Sequence, residues 1–391
     1  MTEYHCPMCG VRSPVESLTW HCPECHGPWD LNFAASAVAG NSLSGRVNSL
    51  WRYEEALPLP AAGACGSVSL GEGRTPLVPL TDTVTAKLDF LMPTLSFKDR
   101  GSVLLAELAR QLKPRRVIAD SSGNAGTSIA AYCARAGLDC TVYVPAGTSP
   151  KKVEQIGAHG AHLEIVPGDR EATARAARAA ADEDGVFYAS HVFNPYFLHG
   201  TKTYVYEIWE DLGGRLPETL VVPVGNGTLL LGAALAIDEL YGHGLIGTRP
   251  ALIAVQAAAV APLAFAFRAG ADDVLADGAG RPDFTARTLA EGIAIPHPPR
   301  ARQILTAVRA TGGTFLTVTE NQFRAAQRDL AARGLYVEST GVACWAAVEA
   351  HGLDGRSTVL PLCGAGLKSG LASASAPASA PDQSGRTRSP Q

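Results

Sequence analysis

From about residue 70 onward, short apolar runs alternate with Ala-rich stretches of helical spacing. Val117-Ile118-Ala119 is followed by a helical stretch from about Thr127 to Ala136 that ends at Gly137, then by the apolar run Cys140 to Val144. Lys151 to Ile156, Leu163 to Val166, a helix from about Arg170 to Asp184 and Phe187-Tyr188-Ala189 continue the rhythm. After a break near Asn194-Pro195 it resumes with strand Leu220 to Val224, helix Leu229 to Leu240, strand Leu252 to Val255 and helices Arg300 to Ala310 and Glu320 to Arg333. Helix Val342 to Glu349 and strand Thr358 to Leu362 close it. Strand alternating with helix in this way predicts parallel sheets covered on both faces. Two αβ blocks are implied, with a site between them.

The 391 residues, 46% of them hydrophobic, suffice for one or two substantial cores. The net charge of −4 comes from 33 basic and 37 acidic residues mixed along the chain. With no basic block to neutralise a run of phosphates, nucleic acid is not an expected partner. The start Met1-Thr2-Glu3-Tyr4-His5-Cys6 is neither basic nor apolar, and no apolar window reaches membrane-spanning length, so a cytoplasmic protein without membrane attachment is expected. The tail from about Ala372, rich in Ser, Ala and Pro, cannot offset its ordering entropy and is expected to be disordered.

Nine cysteines change the picture at the N-terminus, where Cys6-Pro-Met-Cys9 and Cys22-Pro-Glu-Cys25 stand twelve residues apart. Two such pairs supply four thiolates for a tetrahedral Zn²⁺ site, and a closed tetrahedron leaves no position for substrate, so the metal is read as structural. His5, His21 and His26 lie beside the cysteines and could substitute as ligands.

Four further segments carry candidate chemistry. In Pro93-Thr94-Leu95-Ser96-Phe97-Lys98-Asp99-Arg100-Gly101, Ser96 reads as an N-cap with Asp99 three residues on, which places Lys98 in the first helical turn. There the positive end of the helix dipole favours the neutral amine, a nucleophile towards an aldehyde. Taken alone, such a lysine reads as a solvated surface charge. Asp120-Ser121-Ser122-Gly123-Asn124-Ala125-Gly126-Thr127 and Pro223-Val224-Gly225-Asn226-Gly227-Thr228 each run from strand to helix. Their backbone N–H groups and hydroxyls suit a carboxylate or phosphate, although a plain helix-capping turn has the same composition. Neither loop has the spacing of a dinucleotide or Walker motif. Finally, Leu362-Cys363-Gly364-Ala365-Gly366 brings Cys363 to a glycine-lined turn, where a buried small residue is the simplest reading.

Taken in order, these segments resemble the fold-type II pyridoxal-phosphate (PLP) enzymes, and among them the threonine synthase-like branch. The phrases Thr288-Leu289-Ala290-Glu291-Gly292-Ile293 and Asn194-Pro195-Tyr196-Phe197-Leu198-His199-Gly200-Thr201-Lys202-Thr203 strengthen that resemblance, and the cysteine module looks like a zinc ribbon. The fold class implied is α/β, with two doubly wound αβ domains behind a small ribbon. Residues 1–32 form the ribbon, 33–105 with 200–371 the large PLP-binding domain, 106–199 a small mobile domain and 372–391 the tail.

The resemblance also implies roles. Lys98 bonds the cofactor aldehyde and shuttles protons, Asn124 bonds the ring 3′-oxygen, and Gly225, Asn226, Gly227 and Thr228 hold the cofactor phosphate. Ser121, Ser122, Gly123 and Ala125 cradle the substrate carboxylate, and Cys363 faces the pyridine nitrogen. Cys6, Cys9, Cys22 and Cys25 hold zinc, and the assembly is a homodimer. The implied activity is lysis of a small hydroxy-amino acid or its activated ester, with threonine synthase chemistry foremost. Three departures keep dehydratase and β-replacement chemistry open: Met92-Pro93-Thr94-Leu95-Ser96 in place of Asn-Pro-Thr-Gly-Ser, Ala125-Gly126 in place of hydroxyl residues, and Cys363 in place of threonine.

Overall fold

The computed structural model describes residues 2–40, 43–274, 282–284, 286–353 and 355–368, so the tail at 372–391 lies outside the described residues. β1 (Glu3–His5), β2 (Arg12–Pro14) and β3 (Asp30–Asn32) make a small antiparallel sheet in the order β2-β1-β3. After α1 (Ala61–Ser67) come β4 (Leu77–Pro79), β5 (Val84–Lys87) and α2 (Asp99–Leu112). Next are β6 (Arg116–Ala119), α3 (Asn124–Ala136), β7 (Cys140–Pro145), α4 (Pro150–Ala158), β8 (His162–Val166), α5 (Arg170–Ala181) and β9 (Val186–Tyr188). The chain continues through α6 (Tyr196–Thr201), α7 (Thr203–Asp211), β10 (Thr219–Pro223), α8 (Thr228–Gly242), β11 (Ala251–Ala257) and α9 (Pro262–Arg268). α10 (Ala301–Ala310), β12 (Thr314–Val318), α11 (Glu320–Ala332), α12 (Ala343–His351) and β13 (Thr358–Pro361) complete it.

Two larger sheets result. One has the order β12-β11-β10-β13-β5-β4, parallel except for the antiparallel edge pair β4–β5, and the other has the all-parallel order β8-β7-β6-β9. In each, strand order reverses at one place: β10 lies between β11 and β13, and β6 between β7 and β9. Such reversal points open a crevice beyond the carboxyl ends of the strands, where α/β proteins bind ligands. The loops after β6 and β10 are the two Gly-rich segments already singled out.

The pattern of residues missed β5, β12, α6 and α7 for physical reasons. Lys87 makes β5 look polar, yet its side chain is fully buried and ion-paired with Glu207 at 2.9 Å. Asn194-Pro195 reads as a break, but Pro195 is the N-cap of α6 with φ −69°, which is already suited to a helix start. Tyr53, close to the N-terminal module in sequence, lies in the large core. Its ring sits 5.5 Å from that of Tyr206, and its hydroxyl donates to Glu210 at 2.5 Å.

α2 and α6 cross where neither has room for a side chain. A Cβ at Gly101 would lie 2.4 Å from the Phe197 ring, and one at Gly200 would lie 2.0 Å from the Arg100 carbonyl oxygen. Beside this crossing, Arg100 is wholly buried; its Nε and Nη2 donate to Asp89 at 2.9 and 2.8 Å, and its Nη1 and Nη2 to Glu207 at 2.6 and 2.8 Å. With Lys87, which also reaches Asp211 at 3.3 Å, each buried cation of this cluster has a carboxylate partner.

Candidate active site and metal centre

Lys98 follows β5 on an arm laced to the turn after β13. Phe90 N–H donates to the Leu362 carbonyl and Phe97 N–H to the Cys363 carbonyl, both at 2.9 Å. Ser96 does not cap the helix: its hydroxyl has no hydrogen-bond partner among the described residues, and Lys98 itself is the N-cap, with φ −59° and ψ −27°. The Asp99 carboxylate instead ties the arm and α3 to the start of α2, accepting the Thr94 backbone N–H at 2.7 Å and the hydroxyls of Thr94 and Ser128. The amine thus still lies at the positive end of α2. Its Nζ stands 4.5 Å from the Phe97 ring centre and 5.5 Å from that of Phe197. Burial is the main force lowering its pKa to about 8; nearby Arg170 acts in the same direction and Glu338 opposes it.

Beyond β6, Ser121 to Asn124 turn sharply into α3. Gly126 permits the turn, since a Cβ there would lie 1.7 Å from the Ser121 carbonyl oxygen. The Asn124 side-chain amide donates to both Glu338 carboxylate oxygens, at 3.0 and 3.2 Å. Beyond β10, Gly225 comes so close to the 288–293 segment that a Cβ would fall 2.8 Å from Ile293 Cα. Gly227 is the N-cap of α8 at φ +75°, with no side chain bonding the first-turn N–H groups.

These pieces enclose one cavity of about 1080 Å³. Lys98 lines it with Ser121, Ser122, Gly123, Asn124 and Ala125 on one wall and Gly225, Asn226, Gly227 and Thr228 on another. Cys363 is not among the lining residues. It is buried behind the Lys98 arm, and burial pushes its thiol well above its ordinary pKa, so it is neutral. The donor set fits PLP: an amine of reduced basicity, a helix start free of side-chain caps for a phosphate, and an amide opposite a carboxylate.

Sequence patterns missed Arg170, His191, Lys151 and Lys152, all on the cavity wall that Glu338 also lines. Burial, Lys98 and Arg170 together hold His191 well below the usual imidazole pKa, so it is neutral. Lys152 reaches across to Glu291 at 3.3 Å. Only one signal was available for His191, its position just past the end of β9, beside a strand-order reversal.

At the N-terminus the four predicted cysteines meet. Cys6 and Cys25 Sγ are 3.3 Å apart, Cys9 and Cys22 Sγ 3.4 Å, and all four lie within 4.8 Å of one another. Both halves make the same knuckle: Gly10 N–H donates to the Cys6 carbonyl at 3.0 Å and His26 N–H to the Cys22 carbonyl at 2.9 Å. Zn–S bonds of about 2.3 Å in a tetrahedron require S···S separations of about 3.8 Å, which this cluster meets after small shifts.

The profile of the family described as pyridoxal-phosphate dependent enzyme matches residues 68–364. The chain is similar to threonine synthase of Methanosarcina acetivorans, with 29% identity over 87% of this chain and 85% of that protein. It is also similar to threonine synthase of Methanocaldococcus jannaschii, with 31% identity over 85% and 83%. Among solved structures, a threonine deaminase from the organism abbreviated T.th. superposes with TM-score 0.63 and 27% identity over 78% of this chain and 96% of that one. Maize serine racemase, 18% identical, shares the fold with TM-score 0.65 over 78% and 91%.

Proposed function

The chain belongs to the pyridoxal-phosphate dependent enzyme family, and from that membership we propose that it is a lyase that converts O-phosphohomoserine and water to threonine and phosphate. The observation that carries this reading is the convergence of Lys98, the 121–125 loop and the 225–228 loop on one cavity. When bound, PLP supplies an electron sink for negative charge at the substrate Cα. Lys98 would hold the cofactor through its amine, and once free that amine would move protons at the substrate Cα and beyond. Ser121, Ser122, Gly123 and Ala125 hold the substrate carboxylate, and Asn124 donates to the ring 3′-oxygen. Gly225, Asn226, Gly227 and Thr228 hold the cofactor phosphate at the start of α8. Cys363, as a neutral thiol, offers the pyridine nitrogen no ionic partner. Zn²⁺ in the four-cysteine module is structural, because four thiolates close its coordination.

An anionic leaving group is favoured by the wall that carries Lys151, Lys152 and Arg170. Arg170 lies on that wall within electrostatic reach of Lys98 and Asp120, where it can pair with a substrate phosphate. A second reading, deamination of serine or threonine, is supported by Cys363 and by the similarity to threonine deaminase. Assays of released phosphate and released ammonia on O-phosphohomoserine, serine and threonine separate the two. Phosphate release with threonine formation is expected, and ammonia alone would favour the second reading. Borohydride reduction followed by peptide mapping should place the cofactor on Lys98; a label elsewhere, or none, refutes the assignment.

A further inference from the structure

Arg300 immediately precedes α10 and is buried, with all five of its N–H donors engaged. Nε donates to the Val192 carbonyl at 2.7 Å. Nη1 donates to Asp30 Oδ1 at 2.7 Å and to Gln303 Oε1 at 2.8 Å, and Nη2 to the carbonyls of Trp29 at 2.5 Å and Phe193 at 3.4 Å. The acceptors come from three places: Trp29 and Asp30 from the cysteine module, Val192 and Phe193 from the segment after β9, and Gln303 from α10. Gln303 Nε2 also donates to Asp30 Oδ2 at 2.7 Å, and Trp29 N–H donates to the Phe193 carbonyl at 3.2 Å. A planar fork with every donor used fixes the three parts in one arrangement, because moving any of them leaves a buried donor unpaired.

Each part also touches something functional. On the module side, β1 runs directly into Cys6 and pairs with β3, His5 opposite Asp30, while Cys25 lies four residues before Trp29. A metal ion held by Cys6 and Cys25 together therefore fixes the strand pair that presents Asp30. On the cleft side, His191 lines the cavity next to Val192. Phe197, a few residues on, has its ring centre 5.7 Å from that of His191 and 5.5 Å from Lys98 Nζ. On α10, Ile304 fills the space under Gly227, where a Cβ would come within 2.3 Å of Ile304 Cδ1.

We infer that Arg300 is a positioning residue that couples metal binding at Cys6, Cys9, Cys22 and Cys25 to the cofactor affinity of the cleft, an inference that rests on the PLP function proposed above. Metal occupancy holds Asp30, Asp30 holds the guanidinium, and the guanidinium holds the segment and helix that border Lys98 and the 225–228 loop. Linkage is reciprocal, so cofactor binding tightens metal binding by the same factor.

The test uses the full chain, loaded with Zn²⁺ or stripped by a chelator, titrated with PLP and followed by absorbance, with Zn²⁺ affinity measured separately with and without PLP. In the wild type, Zn²⁺ is expected to tighten PLP binding about tenfold, and PLP to tighten Zn²⁺ binding by the same factor. Asp30→Ala, at a side chain 25% exposed, should fold and hold Zn²⁺ but bind PLP equally in both metal states. Arg300→Met should behave likewise where it folds, and Asp30→Ala decides the matter where it does not. Equal PLP affinity of the two wild-type metal states overturns the coupling while leaving the proposed function intact. So does an Asp30→Ala chain that melts lower yet keeps the full tenfold factor, since that is a stabilising role only. A wild type that takes up no PLP in either state refutes the proposed function, and the inference with it.

Discussion

The Asn124 side-chain amide and the Glu338 carboxylate face each other across the cleft at 3.0 and 3.2 Å, the amide donating to both oxygens. This contact explains Gly364, where a Cβ would lie 2.2 Å from Glu338 Oε1. Only the flexible end of a side chain would have to yield, so Gly364→Ala should fold with its melting temperature nearly unchanged while the carboxylate swings off Asn124. Misplacement on this scale costs about a hundredfold in turnover. Steady-state kinetics on the variant check it, and a wild-type kcat would remove the contact from any part in the reaction.

The Lys98 amine has a pKa lowered to about 8, chiefly by burial, and only its neutral form attacks an aldehyde. The rate at which cofactor-free protein captures PLP should therefore rise about tenfold per pH unit below that value and level off about one unit above it. Arg170→Ala removes a neighbouring cation and should move the midpoint up; Glu338→Gln removes an anion and should move it down. His191, held neutral by burial, adds no charge across this range. Stopped-flow absorbance across pH provides the measurement, and a flat profile contradicts it.

Leu95 occupies the left-handed region at φ +63°, where a side chain crowds the following carbonyl. Replacing it by alanine keeps that strain, while glycine releases it at some cost in unfolded-chain entropy. Leu95→Gly should be more stable than Leu95→Ala by about 0.5–1 kcal/mol, the reverse of the usual order. Urea denaturation of the two variants decides it; alanine above glycine would mean that the backbone there is unstrained.

Burial alone would raise the Glu207 carboxyl, but Arg100 and Lys87 pull it well below the ordinary carboxylate range. A carboxyl depressed on folding contributes stability above its unfolded pKa of about 4.3 and loses that contribution as pH falls below it. Glu207→Ala should cost about 3–5 kcal/mol at neutral pH, because a buried pairing of both cations is lost and Lys87 is left with only the partly exposed Asp211 at 3.3 Å. Wild-type stability should fall more steeply than the variant's below about pH 4, as read from denaturation midpoints.

By itself the sequence determined the local elements and their order, because strand and helix periodicity, the Gly-rich turns and the paired cysteines are properties of neighbouring residues. Lys98, the 121–125 and 225–228 loops and Cys6, Cys9, Cys22 and Cys25 were legible for that reason. Only the tertiary structure decided which distant residues complete the site. His191 and Arg170 stand on segments with no motif of their own, and they reach the cavity because two sheets reverse strand order beside one cleft. The same holds for Arg300, whose five acceptors lie up to 271 residues away in the chain, and for Lys87, whose charge suggested surface until Glu207 was found beside it. Periodicity reports which face of an element is buried; what that face meets depends on how separate elements pack, and that information is nonlocal.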